Sequence, residues 1–437
     1  MKAYLVQTHE DIDFRSYTAF LQDLDVLIHE DYSEFPTLYL VSASNTQLEE
    51  IQNNKETKTV EEANKQARKF AKDEVGREIR KGEIPKTVTL AAVGEQSLGI
   101  NDNWGLGRID DRDQINLKRY IYEKTGQNVD VYIIDSGVTE HSDLKGRVWN
   151  LWTAFNIFED EDGHGTHVAS TVAGTRYGVA KLARIYNVKV FDANVSAPIT
   201  TIVSGCNAAL KHHKSKITKG ENRPSVVNMS LGGDGSMLNT VVAEMQKAGM
   251  IVCVAAGNEK GDLDNDINVY PAESPNVLTV NSLNDIERPS WFNNYGSVCD
   301  VFAPGEGIKA ADFENSAGWA EMSGTSMATP HVAGVCALAL EGKSIYTTKT
   351  QVEGFYTFIL TSATIGLVLF DGGWSGFHDR FPNKIVYSLA DGEAPPAPVP
   401  VPAPIPLPED EDEGGSKKWI FIAAGVIVLG IILAVAL

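Results

Sequence analysis

Basic residues and cysteines are both scarce in this chain. Lys and Arg number 38 against 58 Asp and Glu, a formal net charge of −20. A surface of that sign repels a phosphate backbone, so nucleic acid is not expected as a partner. The four cysteines, Cys206, Cys253, Cys299 and Cys336, lie in apolar runs without CxxC spacing. That argues against a zinc or redox motif and predicts buried free thiols. No apolar leader follows Met1-Lys2, so a reducing, non-secretory setting is the simpler expectation. What is present is bulk: 437 residues, 43% hydrophobic and 22% charged, enough for more than one domain and a large core.

Three stretches carry chemistry. Gly324-Thr325-Ser326-Met327-Ala328-Thr329-Pro330-His331 sets a serine among small residues at the start of an apolar run. This predicts a hydroxyl at a helix N-terminus, where free backbone N–H groups meet developing negative charge. A serine is a poor nucleophile without a base to take its proton and a carboxylate to orient that base. Val131-Tyr132-Ile133-Ile134-Asp135-Ser136-Gly137 reads as a buried strand delivering a carboxylate at its C-terminal end. Asp162-Gly163-His164-Gly165-Thr166-His167 places a histidine between glycines at the start of a small-residue helix. Strand and helix ends are where α/β sheets build sites.

These motifs resemble those of the subtilisin-like serine proteases, nearer the proteinase K branch by the wording Asn294-Tyr295-Gly296-Ser297-Val298 and Gly324-Thr325-Ser326-Met327-Ala328-Thr329-Pro330. The order Asp, His, Ser is the one already known for subtilisin. The resemblance covers roughly residues 100–390. It implies that Ser326 attacks, His164 acts as base and then acid, and Asp135 orients the imidazole. Asn258 and the Ser326 amide would stabilise the oxyanion.

Apolar strands alternating with helices to about residue 340 predict an α/β fold with a doubly wound, mostly parallel sheet. The expected division is a small α+β domain over 1–64, a charged linker with the processing region over 65–100, a peptidase domain over 101–390, a Pro-rich and acidic linker over 391–417, and an apolar anchor over 418–437. Residues 1–64 read as a β-α-β-β-α-β unit. By position this resembles the family's propeptide, which implies an intramolecular inhibitor; an ordinary accessory domain is the alternative. The charged stretch 65–84 reads as a solvated helix. Autocleavage is expected near residues 85–102.

The resemblance also implies the substrate cleft. Ser230, Leu231, Gly232 and Gly233 would form one wall, hydrogen-bonding an extended peptide, and Ala255, Ala256 and Gly257 the opposite wall. Val269 would form the base of the pocket for the side chain before the scissile bond. With no carboxylate there, that pocket would prefer small or medium apolar groups and not Lys or Arg. The carbonyls of Pro275 and Val277 with the Asp300 carboxylate match a calcium site of proteinase K relatives, implying a structural Ca²⁺. Catalysis itself would need no cofactor. His141, His167 and His331 are expected to pack structurally. His212 and His213, at a lysine-rich helix end, read as surface groups.

Ala394–Pro408 is a proline-alternating spacer, followed by acidic 409–413 and the uncharged Trp419–Leu437. As a helix that last segment spans about 28 Å, which predicts a single C-terminal transmembrane helix, with Lys417 and Lys418 keeping the peptidase domain cytoplasmic-facing. The expected function is a membrane-anchored, self-inhibited serine endopeptidase acting on polypeptides. An inert peptide-binding scaffold at a membrane is the rival, and an esterase using the same triad a weaker one.

Overall fold

The computed structural model describes residues 1–388 apart from 10–11, 13, 31–33, 36, 64, 70–79, 84–93, 101, 113–116 and 195. The expected linker over 391–417 and anchor over 418–437 lie outside the described residues, as do 85–93 and 101 of the expected processing region.

The N-terminal part runs β1 (Lys2–Thr8), α1 (Phe14–Asp23), β2 (Leu27–Glu30), β3 (Leu38–Ala43), α2 (Asn45–Asn53) and β4 (Thr57–Glu62). Its sheet has the order β2-β3-β1-β4, with antiparallel pairing throughout. Helix α2 starts where Ser44 and Gln47 form a reciprocal capping box, each side chain bonded to the other's backbone N–H. Residues beyond it form β5 (Gln66–Lys69), β6 (Arg80–Glu83) and β7 (Gly94–Ser97). The solvated helix expected over 65–84 is thus replaced, where described, by strands. Backbone partners on neighbouring strands decide this, not local propensity.

The larger part continues with α3 (Trp104–Ile109), β8 (Arg119–Tyr122), β9 (Asp130–Asp135), β10 (Val148–Thr153), α4 (His164–Ala173), β11 (Arg184–Lys189), β12 (Ser196–Pro198), α5 (Ile199–Thr218), β13 (Ser225–Met229), β14 (Leu231–Gly233), α6 (Met237–Lys247) and β15 (Ile251–Ala255). Then come β16 (Leu278–Leu283), β17 (Val301–Pro304), β18 (Ile308–Ala311), β19 (Gly318–Met322), α7 (Thr325–Leu340), α8 (Lys349–Ser362), β20 (Thr364–Ile365) and β21 (Lys384–Ile385). The main sheet has the order β10-β11-β9-β13-β15-β16-β17-β21-β20. Its pairs are parallel except β20 with β21, an antiparallel edge.

The strand sequences explain this layering. In β9, Val131 and Ile133 join the core that holds α4 and α7, while Tyr132 and Ile134 join the core that holds α5 and α6. In β15, Ile251 and Cys253 face the first core, Val252 and Val254 the second. Successive side chains leave opposite faces of a strand, so a sheet covered on both sides needs an unbroken apolar run. All four cysteines are buried free thiols.

Helix α7 is buried along nearly all of its 16 residues. A helix that is apolar all round belongs in a core or a membrane, and at 1.5 Å per residue α7 spans only about 24 Å, short of the roughly 30 Å of a bilayer. It is a core helix. Among the described residues no helix is long and apolar enough to cross a membrane.

Candidate active site

Asp135 ends β9 and His164 opens α4, both essentially buried. His164 Nδ1 and Asp135 Oδ1 are 2.7 Å apart, and the same oxygen accepts from the Ser136 N–H at 2.7 Å. The imidazole is thus held with Nδ1 as donor, which leaves Nε2 free to take a proton. His164 Nε2 is buried and has no hydrogen-bond partner among the described residues. Gly163, at φ 98°, turns the chain into α4, and a Cβ there would lie 2.5 Å from the Phe313 ring. Gly165 is equally constrained: a Cβ would sit 2.1 Å from the Gly137 carbonyl oxygen.

The sequence reading missed Asp160. Its Oδ1 accepts from Ser136 Oγ and from the N–H groups of Asp162 and Gly163, and its Oδ2 accepts from the Thr166 N–H and hydroxyl, all within 2.8 to 3.0 Å. The carboxylate satisfies the free donors at the start of α4 and ties them to the strand end that carries Asp135. An aspartate four residues before the histidine, in a Gly-containing turn leading into a helix, was the available signal.

Ser326 is the second residue of α7, at the end where backbone N–H groups point out of the helix. Its Oγ donates to the Ser230 carbonyl at 3.0 Å, while Ser230 Oγ donates to the Ser326 carbonyl at 2.9 Å. Asn258 follows β15. Its Oδ1 accepts from both the N–H and the hydroxyl of Thr325 at 3.0 Å. That fixes the amide so that Nδ2, buried and without a hydrogen-bond partner among the described residues, is the open end. Thr325 also accepts from the Gly257 N–H at 3.1 Å. Its role was not legible in the sequence, because it depends on two segments 67 residues apart meeting.

The expected cleft wall falls on β14, which begins one residue after Ser230. Between β12 and β14 lies β5, antiparallel to both: Ala67 pairs with Ala197 and Gly233, Arg68 with Gly232, Lys69 with Leu231. Ala255 and Ala256 are fully buried, and Gly257 adopts φ 98°. Val269 is the residue expected at the base of the pocket next to the scissile bond. With Gly232 and Gly233 it lines a cavity of about 500 Å³ beside Gln66, Ala67 and Arg68. The antiparallel bridge between Gly233 and Tyr270 draws the Val269 loop to this far end of β14.

Asp300 Oδ2 accepts from the Thr279 N–H at 2.8 Å, and burial pushes its carboxyl up to about 6. Pro275 is exposed and Val277 buried on the loop before β16. Among the described residues no group of three or more His, Cys, Asp or Glu side chains is placed to hold a metal. His167 and His331 are buried against backbone carbonyls, His167 on Ile308 and Ala320, His331 on Met327. Burial pushes them down to about 3 and about 4.

Residues 126–381, more than half of the chain, match the peptidase S8 or subtilase family. The chain is 41% identical over 255 residues to the subtilisin-like serine protease Rho m 2.0101 of Rhodotorula mucilaginosa, covering 56% of this chain and 74% of that one. It is 42% identical over 246 residues to Pen ch 13 of Penicillium rubens, covering 55% and 60%. It is 37% identical over 290 residues to the extracellular serine proteinase of a Thermus species, covering 65% and 66%. The crystal structure of a cold adapted subtilisin-like serine proteinase matches with a TM-score of 0.57 at 36% identity, covering 67% of this chain and all of the other. The expected membrane location with a cytoplasmic-facing peptidase domain is corrected by these findings: one relative is named as extracellular, and no described helix can cross a membrane. On the shared motifs, the fold and these matches, the chain belongs to the subtilase family of serine endopeptidases.

Proposed function

We propose that this endopeptidase hydrolyses peptide bonds with Asp135, His164 and Ser326, and that its own residues 1–69 restrain it as an intramolecular inhibitor. The carrying observation is a buried Asp135–His164 pair at 2.7 Å, with His164 Nε2 and Asn258 Nδ2 both buried and without hydrogen-bond partners among the described residues. Buried polar groups are normally satisfied, and these two open atoms suit a partner that arrives with substrate. Ser326 Oγ leaves the Ser230 carbonyl for His164 Nε2, attacks the substrate carbonyl and passes its proton to the imidazole. The oxyanion that forms is met by Asn258 Nδ2 and the Ser326 N–H. His164 then protonates the leaving amine, and water repeats the sequence to release the acyl group.

The inhibitor reading rests on β5, which fills the wall of the cleft as an added strand. The N-terminal sheet lays Leu5, Leu38 and Leu40 into the same core as Ile199, Ile202 and Met245. A structural Ca²⁺ at Asp300 fits the chemistry of its donors. A carboxyl pushed up to about 6 by burial is ionised at neutral pH only at a cost, which a hard cation on oxygen ligands offsets.

The test compares the chain with Ser326→Ala, followed by mass over time, with and without a chelator. The parent should lose an N-terminal fragment and then hydrolyse casein, Ser326→Ala should do neither, and the chelator should lower the Tm of both. Fragment loss from Ser326→Ala at the parent's rate would refute self-processing, and an unmoved Tm would refute the calcium site.

A further inference from the structure

The strand that the chain lays in its own cleft carries two adjacent cations, and each meets a carboxylate of the peptidase domain. Lys69 Nζ donates to Asp162 Oδ2, with the two side chains only 3% and 12% exposed. Arg68 Nη2 donates to Glu259 Oε1 at 2.5 Å, with 52% and 23% exposed. Asp234 and Asp266 join Glu259 in lining the cavity that Arg68 borders. Ala67, before them, is fully buried.

Register fixes what these positions mean for a substrate. Lys69 pairs with Leu231, and the residue before Leu231 is Ser230, whose carbonyl accepts from Ser326 Oγ. A peptide bound antiparallel to β14 in this register presents to Ser326 the residue that follows the Lys69 position. The Lys69 and Arg68 positions are then the two immediately preceding it.

We propose that Asp162 and Glu259 make the cleft select polypeptides with a cationic side chain at each of the two positions before the residue whose carbonyl is attacked, preceded by a small apolar residue. This rests on the cleft reading given above and adds the substrate class. The inner position dominates. A cation held out of water against a carboxylate gains a charge-assisted hydrogen bond, and a neutral side chain there leaves Asp162 desolvated with one partner fewer. The outer pair is half in solvent, where screening leaves little. Replacing the inner cation by Gln should lower kcat/KM about tenfold or more, and replacing the outer one about two- to fivefold. Only the outer effect should fade at high salt.

The experiment uses the full chain after incubation, with Ala-X-Y-Phe peptides carrying a fluorogenic leaving group. X-Y is Arg-Lys, Gln-Lys, Arg-Gln, Gln-Gln or Glu-Glu. Arg-Lys should give the highest kcat/KM and Glu-Glu the lowest. In Glu259→Lys the order at X should invert, Glu over Arg. In Asp162→Asn the advantage of Lys over Gln at Y should vanish, read as a ratio against Gln-Gln so that any general loss of turnover cancels. Equal kcat/KM across the panel in the parent chain overturns the proposal, and the panel decides this even where a variant fails to fold. Hydrolysis of no peptide, by parent and Ser326→Ala alike, overturns the protease mechanism together with it.

Discussion

Thr325 does for Asn258 what Asp135 does for His164: it binds one end of a two-ended polar group and leaves the other end open. Both Thr325 donors converge on Asn258 Oδ1, leaving Nδ2 as the open donor. Asn258→Asp separates the two ends. Aspartate keeps the acceptor for Thr325 and replaces the donor by a negative charge facing the oxyanion. Expected is a fall in kcat of at least about 10², the size seen when such a donor is removed from a subtilisin, with KM and Tm little changed. Steady-state kinetics and a melting curve check it, and an unchanged kcat would remove Asn258 from the mechanism.

Helix α6 shows how the N-terminal part grips the peptidase part. Ser236 precedes α6 but makes no side-chain cap. The cap comes from Glu61 of β4, whose Oε1 accepts from the Ser236 N–H at 3.0 Å and from its hydroxyl. A carboxylate at a helix N-terminus satisfies orphan donors and opposes the positive end of the helix dipole. Lys65 adds a bond from Nζ to the Asp234 carbonyl at 3.0 Å. Loss of such a cap costs about 1 kcal/mol, so Glu61→Ala should raise the inhibition constant of the N-terminal fragment about fivefold. Titrating the released fragment against the peptidase measures it, and an unchanged constant would separate the cap from inhibition.

For the molecule as a whole, buried titratable groups set the response to acid. Burial pushes His167 down to about 3 and His213 and His331 down to about 4, below the ordinary 6.5. Their neutral forms belong to the fold, so the stability each contributes is lost as pH falls from 6.5 toward its folded value. Asp110, pushed up by burial to about 7, acts with the opposite sign and gains over the same range. Each group moves stability by about 3 kcal/mol between pH 6.5 and 4. The three losses, joined by His141 and His212, which burial also pushes down, outweigh this gain, so Tm should fall by at least about 3 °C. Melting Ser326→Ala, which cannot digest itself, at pH 6.5 and pH 4 tests this, and a Tm equal or higher at pH 4 would show that the carboxyl wins.

The sequence by itself determined what depends on neighbours in the chain. The unbroken apolar runs of β9 and β15 require a sheet covered on both faces. Small residues around Ser326 and His164 admit tight helix starts, and the capping box at Ser44 marks the beginning of α2. Tertiary structure decided what depends on residues far apart. His213 sits among lysines in sequence and reads as a surface group, yet it is fully buried, bonded to Ser225 Oγ and the Ala248 carbonyl. Val269 is drawn with the Tyr270 loop to Gly233, where it lines one cavity with Gly232 and Arg68. Four residues, Gln66–Lys69, with two charges among them, hold no local strand signal. They are a strand because β12 and β14 each offer an unpaired edge, and backbone hydrogen bonds to both outweigh any local preference.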